Sequence, residues 1–206
     1  MTKNTLFLFV AAALFAGCAQ PAAHQCVKPF PAAVQLDSLA DCTVPASFTS
    51  DDFRWMGGNL TMTVYSEDLY DAVDVSRLQV GDTLVYGGEP IVVLTIANEN
   101  GSLNINGGLD NGGATLQGYE GGTYRAITFD DHSLYTALGQ AQVPLAETFV
   151  IIDCGLNPED PADTIRADQK LYLETLDGSR RQFTCLDTRV LIENGLITEI
   201  NRHWIP

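Results

Sequence analysis

Along most of the chain, apolar residues alternate with polar ones in short runs, and Gly, Asn and Asp cut the runs apart. Alternation of this kind has the period of a half-buried strand, and the three-and-four spacing of an amphipathic helix is scarce. Leu60 to Tyr65 alternates directly after Gly57-Gly58-Asn59, which predicts a turn feeding a strand. Ser66-Glu67-Asp68 sets an N-cap residue before two acids and predicts one short helical turn. Val80 to Pro90 contains a Gly-Asp turn, a strand and a Gly-Gly turn, and it runs into the apolar stretch Ile91 to Ile96 as a hairpin. Asn100-Gly101 predicts the next tight turn, since both residues tolerate the positive φ of a type I′ turn, with Leu103 and Ile105 returning antiparallel.

Gly107 to Gly122 is glycine-rich and reads as a hairpin with long tips. Thr123 to Phe129 resumes strand character, and Asp131 to Leu138 predicts a brief helix or turn. The continuous run Phe149 to Ile152 predicts a strand buried on both faces. Leu171 to Leu176 and Arg181 to Leu186 read as a hairpin about Asp177-Gly178, and Val190 to Ile192 with Leu196 to Ile200 as a terminal hairpin about Asn194-Gly195. No fixed-period repeat occurs, so neither a propeller nor a solenoid is predicted. The pattern as a whole predicts an all-β chain: a single antiparallel sandwich or small barrel with one or two short helical turns.

The N-terminus breaks this pattern. Lys3 precedes an uninterrupted apolar stretch from Leu6 to Ala16, which ends in Gly17-Cys18. The stretch is too short for a permanent bilayer span, and small residues before a cleavage point mark an export signal. Phe15-Ala16-Gly17-Cys18 resembles the lipobox of bacterial lipoproteins, although Leu is more usual where Phe15 stands. The resemblance implies cleavage before Cys18 and a diacylglycerol on its thiol. The expected organisation is a signal peptide over 1–17, a lipidated N-terminus and flexible Ala/Pro-rich tether over 18–33, and one extracytoplasmic β domain over 34–206. The implied location is the outer face of the cytoplasmic membrane, within the cell envelope, held there by lipid.

Charge narrows the partners. The full chain carries −15 at neutral pH, and removing the signal deletes one Lys and takes this to −16. Repulsion on that scale argues against a nucleic acid partner and against an electrostatic grip on anionic lipid. Once Cys18 is assigned to lipid, Cys26, Cys42, Cys154 and Cys185 form an even set in an oxidising compartment. Three connectivities are open, and the simplest pairs neighbours, Cys26 with Cys42 and Cys154 with Cys185. No cysteine pair has zinc-knuckle spacing, so neither a metal nor any other cofactor is expected.

No sequence motif carries catalysis. A nucleophile elbow, a zincin helix, a P-loop and a dinucleotide fingerprint are all missing. Of the three histidines, His24 falls in the tether and His203 beside the C-terminus, and Asp130-Asp131-His132-Ser133 reads as a solvated turn. With 26 acids, carboxylate pairs are too abundant to single one out for glycoside hydrolysis. Asp130 and Asp131, or Glu159, Asp160 and Asp163, are candidate oxygen ligands for calcium, but neither set matches an EF-hand loop. Tyr119 and Tyr124 flank the glycine-rich stretch and are the candidate ligand surface for a glycan or peptide. The expectation is a non-catalytic binding or structural module. A surface carbohydrate hydrolase and a module that captures peptides by strand addition are the alternatives.

Overall fold

The computed structural model describes residues 24–153, 164–165, 168–203 and 205. The described chain begins with β1 (Cys26–Val27) and continues through β2 (Cys42–Thr49), β3 (Phe53–Arg54) and β4 (Asn59–Glu67). A long excursion follows: β5 (Leu69–Asp71), α1 (Ala72–Ser76), β6 (Thr83–Tyr86), β7 (Glu89–Val92), β8 (Ile96–Glu99), β9 (Ser102–Ile105), β10 (Ala114–Tyr119) and β11 (Thr123–Ala126). The chain returns through β12 (Tyr135–Asp153), β13 (Thr164–Ile165), α2 (Gln169–Thr175), β14 (Gln182–Phe183), β15 (Thr188–Glu193) and β16 (Leu196–Arg202). The all-β reading holds, and where a single sandwich or small barrel was expected the chain forms a closed barrel and, beside it, a second pair of sheets.

The 19-residue strand β12 closes the barrel. Its first half pairs antiparallel with β4, from Tyr135↔Glu67 to Pro144↔Asn59, and its last residues pair parallel with β16, from Val150↔Glu199 to Asp153↔Arg202. From β16 the ladder passes to β15, then β2, then back to β4. A three-stranded meander, a helix and two returning strands with one parallel pair make a five-stranded closed barrel. A bulge between Ala137 and Gly139 bends the long strand, and Gly139 supplies the φ of +141° that an L side chain resists.

The barrel core is aromatic and β-branched. Phe48 stacks on Phe183 at 4.6 Å, Phe53 stacks on Trp55 at 5.3 Å, and Val64, Ile151, Ile192, Ile197 and Ile200 are fully buried around Leu60. A second core lies in the excursion, where sheet β5-β11-β10-β9-β8 and sheet β1-β6-β7 enclose Tyr70, Leu84, Ile105, Leu116 and Val93. The Tyr70 hydroxyl satisfies itself inside by donating to the Val85 carbonyl at 2.7 Å, and burial raises its pKa far above the ordinary phenol range.

Several local expectations need correction. Strand β4 runs through Ser66 and Glu67, and the helical turn comes later as α1, because Asp71 and not Ser66 caps it: its Oδ1 accepts from Val73 N at 2.7 Å and Asp74 N at 3.2 Å. Residues 135–138 belong to β12. Phe149 to Ile152 is buried on one face only, with Phe149 and Ile151 inside and their neighbours half-exposed. Leu171 to Leu176 lies mostly in α2 and not in a hairpin strand, since Leu173 and Leu176 fall three apart and both plug the barrel. The expected partner stretch contributes only Gln182 and Phe183 to a strand, and these pair with β2. The fold also starts before residue 34, because exposed Cys26 and buried Val27 pair parallel with Thr83 and Leu84. The hairpins about Asn100-Gly101 and Asn194-Gly195 form as expected, with positive φ at all four residues.

Asp68 sits where the barrel gives onto the excursion, 1% exposed, with Gly87 N donating to Oδ2 at 3.0 Å. Burial pushes its pKa above the ordinary carboxylate range. A raised folded pKa means stabilisation that is fully present below the unfolded value and lost as pH rises through the folded one. The substitution Asp68→Asn is therefore expected to raise the unfolding free energy at pH 7 and to leave it unchanged at about pH 3, below the unfolded carboxylate pKa. Urea unfolding at both pH values checks this, and an equal change at both would refute it.

Candidate functional site

Strand β11 carries Arg125 directly opposite Gln117 of β10. The Arg125 guanidinium donates from Nε and Nη2 to Gln117 Oε1 at 3.0 and 2.6 Å and lies 5.2 Å from the Tyr119 ring centroid. After β11 the chain makes a tight loop in which Thr128 N donates to the His132 carbonyl at 2.8 Å and Asp131 N to the Thr128 carbonyl at 3.1 Å. Asp131 takes φ +58°, a conformation that Asp tolerates better than most residues. The loop closes on an Ile127↔Ser133 bridge, and Ser133 Oγ accepts from Arg125 Nη1 at 3.3 Å. His132 and Ser133 are thereby brought beside Arg125.

The opposite wall comes from the barrel. Arg189 alternates with buried Thr188 and Val190 along β15, so strand period turns it outward. Its Nη1 donates to the Cys185 and Thr188 carbonyls at 2.8 and 3.1 Å, and its Nη2 donates to the Tyr135 hydroxyl at 2.6 Å. His203, just beyond β16, is fixed by its backbone N donating to the Asp187 carbonyl at 2.9 Å. Arg125, His132, Ser133, Tyr135, Arg189 and His203 border a cavity of about 260 Å³. A neighbouring cavity of about 350 Å³ shares His203 and adds Arg180, Thr184, Asp187 and Arg202. Four of the eight arginines and two of the three histidines thus meet in one trough.

The charge balance there is unlike that of the rest of the molecule. Among the described residues the ion pairs are Arg202 with Asp153, Arg181 with Asp51, Lys170 with Glu174 and His24 with Asp82. Arg125 and Arg189 have none, although the chain carries 26 acids. Asp131 borders the cavity, but it is the Asp131 backbone carbonyl that Arg125 reaches. Three donors, Thr184 N, Thr184 Oγ1 and Thr188 Oγ1, converge on Asp187 Oδ1. Burial and then the adjacent Arg189 charge lower the pKa of His203, so its ring is neutral at pH 7. Burial raises the Tyr135 phenol pKa despite Arg189, so Tyr135 keeps its proton.

The other candidate residues fall elsewhere. Tyr119 and Tyr124 occupy adjacent register positions and point to opposite faces: Tyr119 is exposed beside Arg125, and Tyr124 packs on the second core. They do not form one platform. Cys26, Cys42 and Cys185 are free thiols, on β1, on β2 and ahead of β15, while Cys18 and Cys154 lie outside the described residues. Glu159, Asp160 and Asp163 also lie outside them, and among the described residues no group of three His, Cys, Asp or Glu is arranged to hold a metal ion. Arg125 and Arg189 were not singled out by sequence reasoning. The usable signal was their rarity, as outward-facing arginines on strands of a strongly acidic chain.

No protein-family model, curated protein or solved structure matches the chain. Barrels of this architecture host unrelated functions, so its activity has to be argued from the trough itself.

Proposed function

We propose that this chain is a lipid-anchored module of the bacterial cell envelope that binds a ligand in the trough between the barrel and the inserted sheets. The observation that carries the reading is the convergence of Arg125 and Arg189 on one cavity, each held by neutral acceptors and neither matched by a carboxylate. Holding two like charges together in a protein has a cost, which a bound counter-charge offsets. The Leu6 to Ala16 stretch and Cys18 support export and acylation. Binding is favoured over hydrolysis because Asp131 and Asp187 border different cavities and do not face each other across either one.

A second reading, peptide capture by strand addition, rests on β8. It is the outer strand of its sheet, and Ile96-Ala97-Asn98-Glu99 has neither the Pro nor the Lys that guards such edges.

Two measurements test the proposal. Intact mass of the protein extracted from cells is expected to show loss of residues 1–17 and gain of an acylated glycerol. On glycan and peptide arrays, the extracted protein is expected to retain a ligand that Arg189→Gln weakens about tenfold, which is the worth of one charge-assisted hydrogen bond. A bare Cys18 sinks the anchor, and binding that ignores Arg189→Gln sinks the site.

A further inference from the structure

We infer that the Arg125–Arg189 cavity takes a dianionic tetrahedral oxyanion, the group carried by inorganic phosphate, by sulfate or by a phosphate monoester. This deepens the binding reading above and rests on it, since it names the ligand chemistry of the same cavity.

Three observations converge. The first is charge. Two guanidinium groups without ion-pair partners border the cavity, and its one bordering acid, Asp131, meets Arg125 through its backbone. Neither charge is spent in an ion pair with a carboxylate among the described residues, so a dianion can engage both guanidinium groups at once.

The second is the geometry of the remaining donors. Arginine grips a planar carboxylate best through a fork of two parallel N–H groups. At Arg125 the Nε/Nη2 fork is already closed on Gln117 Oε1. At Arg189, Nη1 is spent on two backbone carbonyls and Nη2 reaches Tyr135. What remains is one Nη1 proton of Arg125, the Nε and second Nη2 protons of Arg189, and the hydroxyls of Ser133 and Tyr135, five donors spread over both walls. Five donors on two facing walls suit an acceptor with four oxygens in a tetrahedron better than one whose two oxygens lie on a single edge.

The third is scale. At about 260 Å³ the cavity lies below the ~300–1,000 Å³ typical of whole drug-sized ligands. It fits one anionic group and its immediate attachment, and the neighbouring trough past His203 is open to the rest of a larger molecule. Local arginines are also what an anion would need here, because the chain as a whole repels it.

The test is a titration of the extracted, acylated protein in detergent micelles at constant ionic strength, followed by the Nε–Hε signals of its arginines. The probes are sodium phosphate, methyl phosphate, sodium sulfate, sodium acetate and glycerol. Phosphate, methyl phosphate and sulfate are expected to shift the Arg125 and Arg189 signals saturably. Arg125→Gln and Arg189→Gln should each weaken this at least tenfold, and Arg54→Gln should leave it unchanged. Tighter binding of methyl phosphate than of phosphate would identify an ester as the source, and the reverse would identify the free anion. Acetate binding as tightly as phosphate overturns the ligand class while leaving a ligand-binding cleft in place. Glycerol binding alone does the same in favour of a neutral sugar. If no probe moves either arginine in protein with a native spectrum, the inference falls, and the array result decides separately whether the binding reading falls with it.

Discussion

Asp153→Ala is expected to destabilise the barrel by about 3–5 kcal/mol, the cost of removing one member of a buried ion pair. Asp153 ends β12 and is 1% exposed, and Arg202 ends the parallel neighbour β16 and is 4% exposed. Arg202 Nε donates to Asp153 Oδ1 at 2.9 Å, its Nη2 pairs with Oδ2, and the Tyr172 hydroxyl of α2 donates to the same Oδ2 at 2.5 Å. The guanidinium also donates from Nη1 to the Arg180 and Gln182 carbonyls at 2.8 and 3.1 Å and lies 4.1 Å from the Phe183 ring centroid. One carboxylate therefore ties together two barrel strands and the helix, while its partner arginine reaches the short segment that leads into β14. Removing the acid takes the ion-pair partner from Arg202 in the core and an acceptor from the Tyr172 hydroxyl. The double change Asp153→Leu with Arg202→Met should recover most of the loss, because replacing both charges by apolar groups of similar volume is often neutral or better. Urea unfolding followed by Trp55 fluorescence reads both variants. A single variant within 1 kcal/mol of the parent would show that the pair is solvated in solution.

The second large effect belongs to the other core. Gly113→Ala is expected to cost about 3 kcal/mol, at the upper end of overpacking penalties. A Cβ built on Gly113 would stand 2.0 Å from the Ile105 carbonyl oxygen and 2.9 Å from that of Asn106. Both are backbone atoms of the neighbouring β9 segment, and Ile105 pairs with Ala114 one residue on. No side-chain rotation relieves such a clash, so β9 and β10 must separate. The adjacent Gly112→Ala is the control. Its Cβ would meet nothing within 4 Å, and only its φ of +72° opposes it, at about 1 kcal/mol. Amide exchange should speed up in β8 to β10 for Gly113→Ala and stay near parental in the barrel strands, whose core contains none of these residues. Equal effects of the two variants would contradict the close approach.

Much of this fold was legible because short antiparallel pairs are local events. The Asn-Gly hairpins and the β6–β7 hairpin follow from turn chemistry and from residues within a few positions of each other. What was not legible depends on partners far along the chain. Leu171 to Leu176 has strand-like composition, and only the barrel end that receives Leu173 and Leu176 selects a helix there. Phe149 to Ile152 looks doubly buried as a run, yet Val150 and Ile152 on its outer face stay half-exposed. The trough was hidden for the same reason. Arg125 and Arg189 stand 64 positions apart, on strands of different sheets, and become neighbours only because β12 begins beside one and the barrel closes beside the other. His132, read as part of a solvated turn, does lie in a turn, and that turn forms one wall of the cavity.

On the proposed lipid anchor, the way the chain enters the fold at His24 would set how far the body can stand from a bilayer. The His24 ring lies over Gly81 and 3.5 Å from Asp82, and Gln25 N donates to the same Asp82 oxygen at 2.9 Å. Six Cα-to-Cα steps separate His24 from Cys18, a leash of at most about 20 Å when fully drawn out. An acyl chain on Cys18 would therefore hold the Gly81 end of the inserted sheets against the headgroups, and exposed Val80, Val92 and Leu94, gathered there by the Gly81–Val93 and Val93–Asp82 hydrogen bonds, would form its underside.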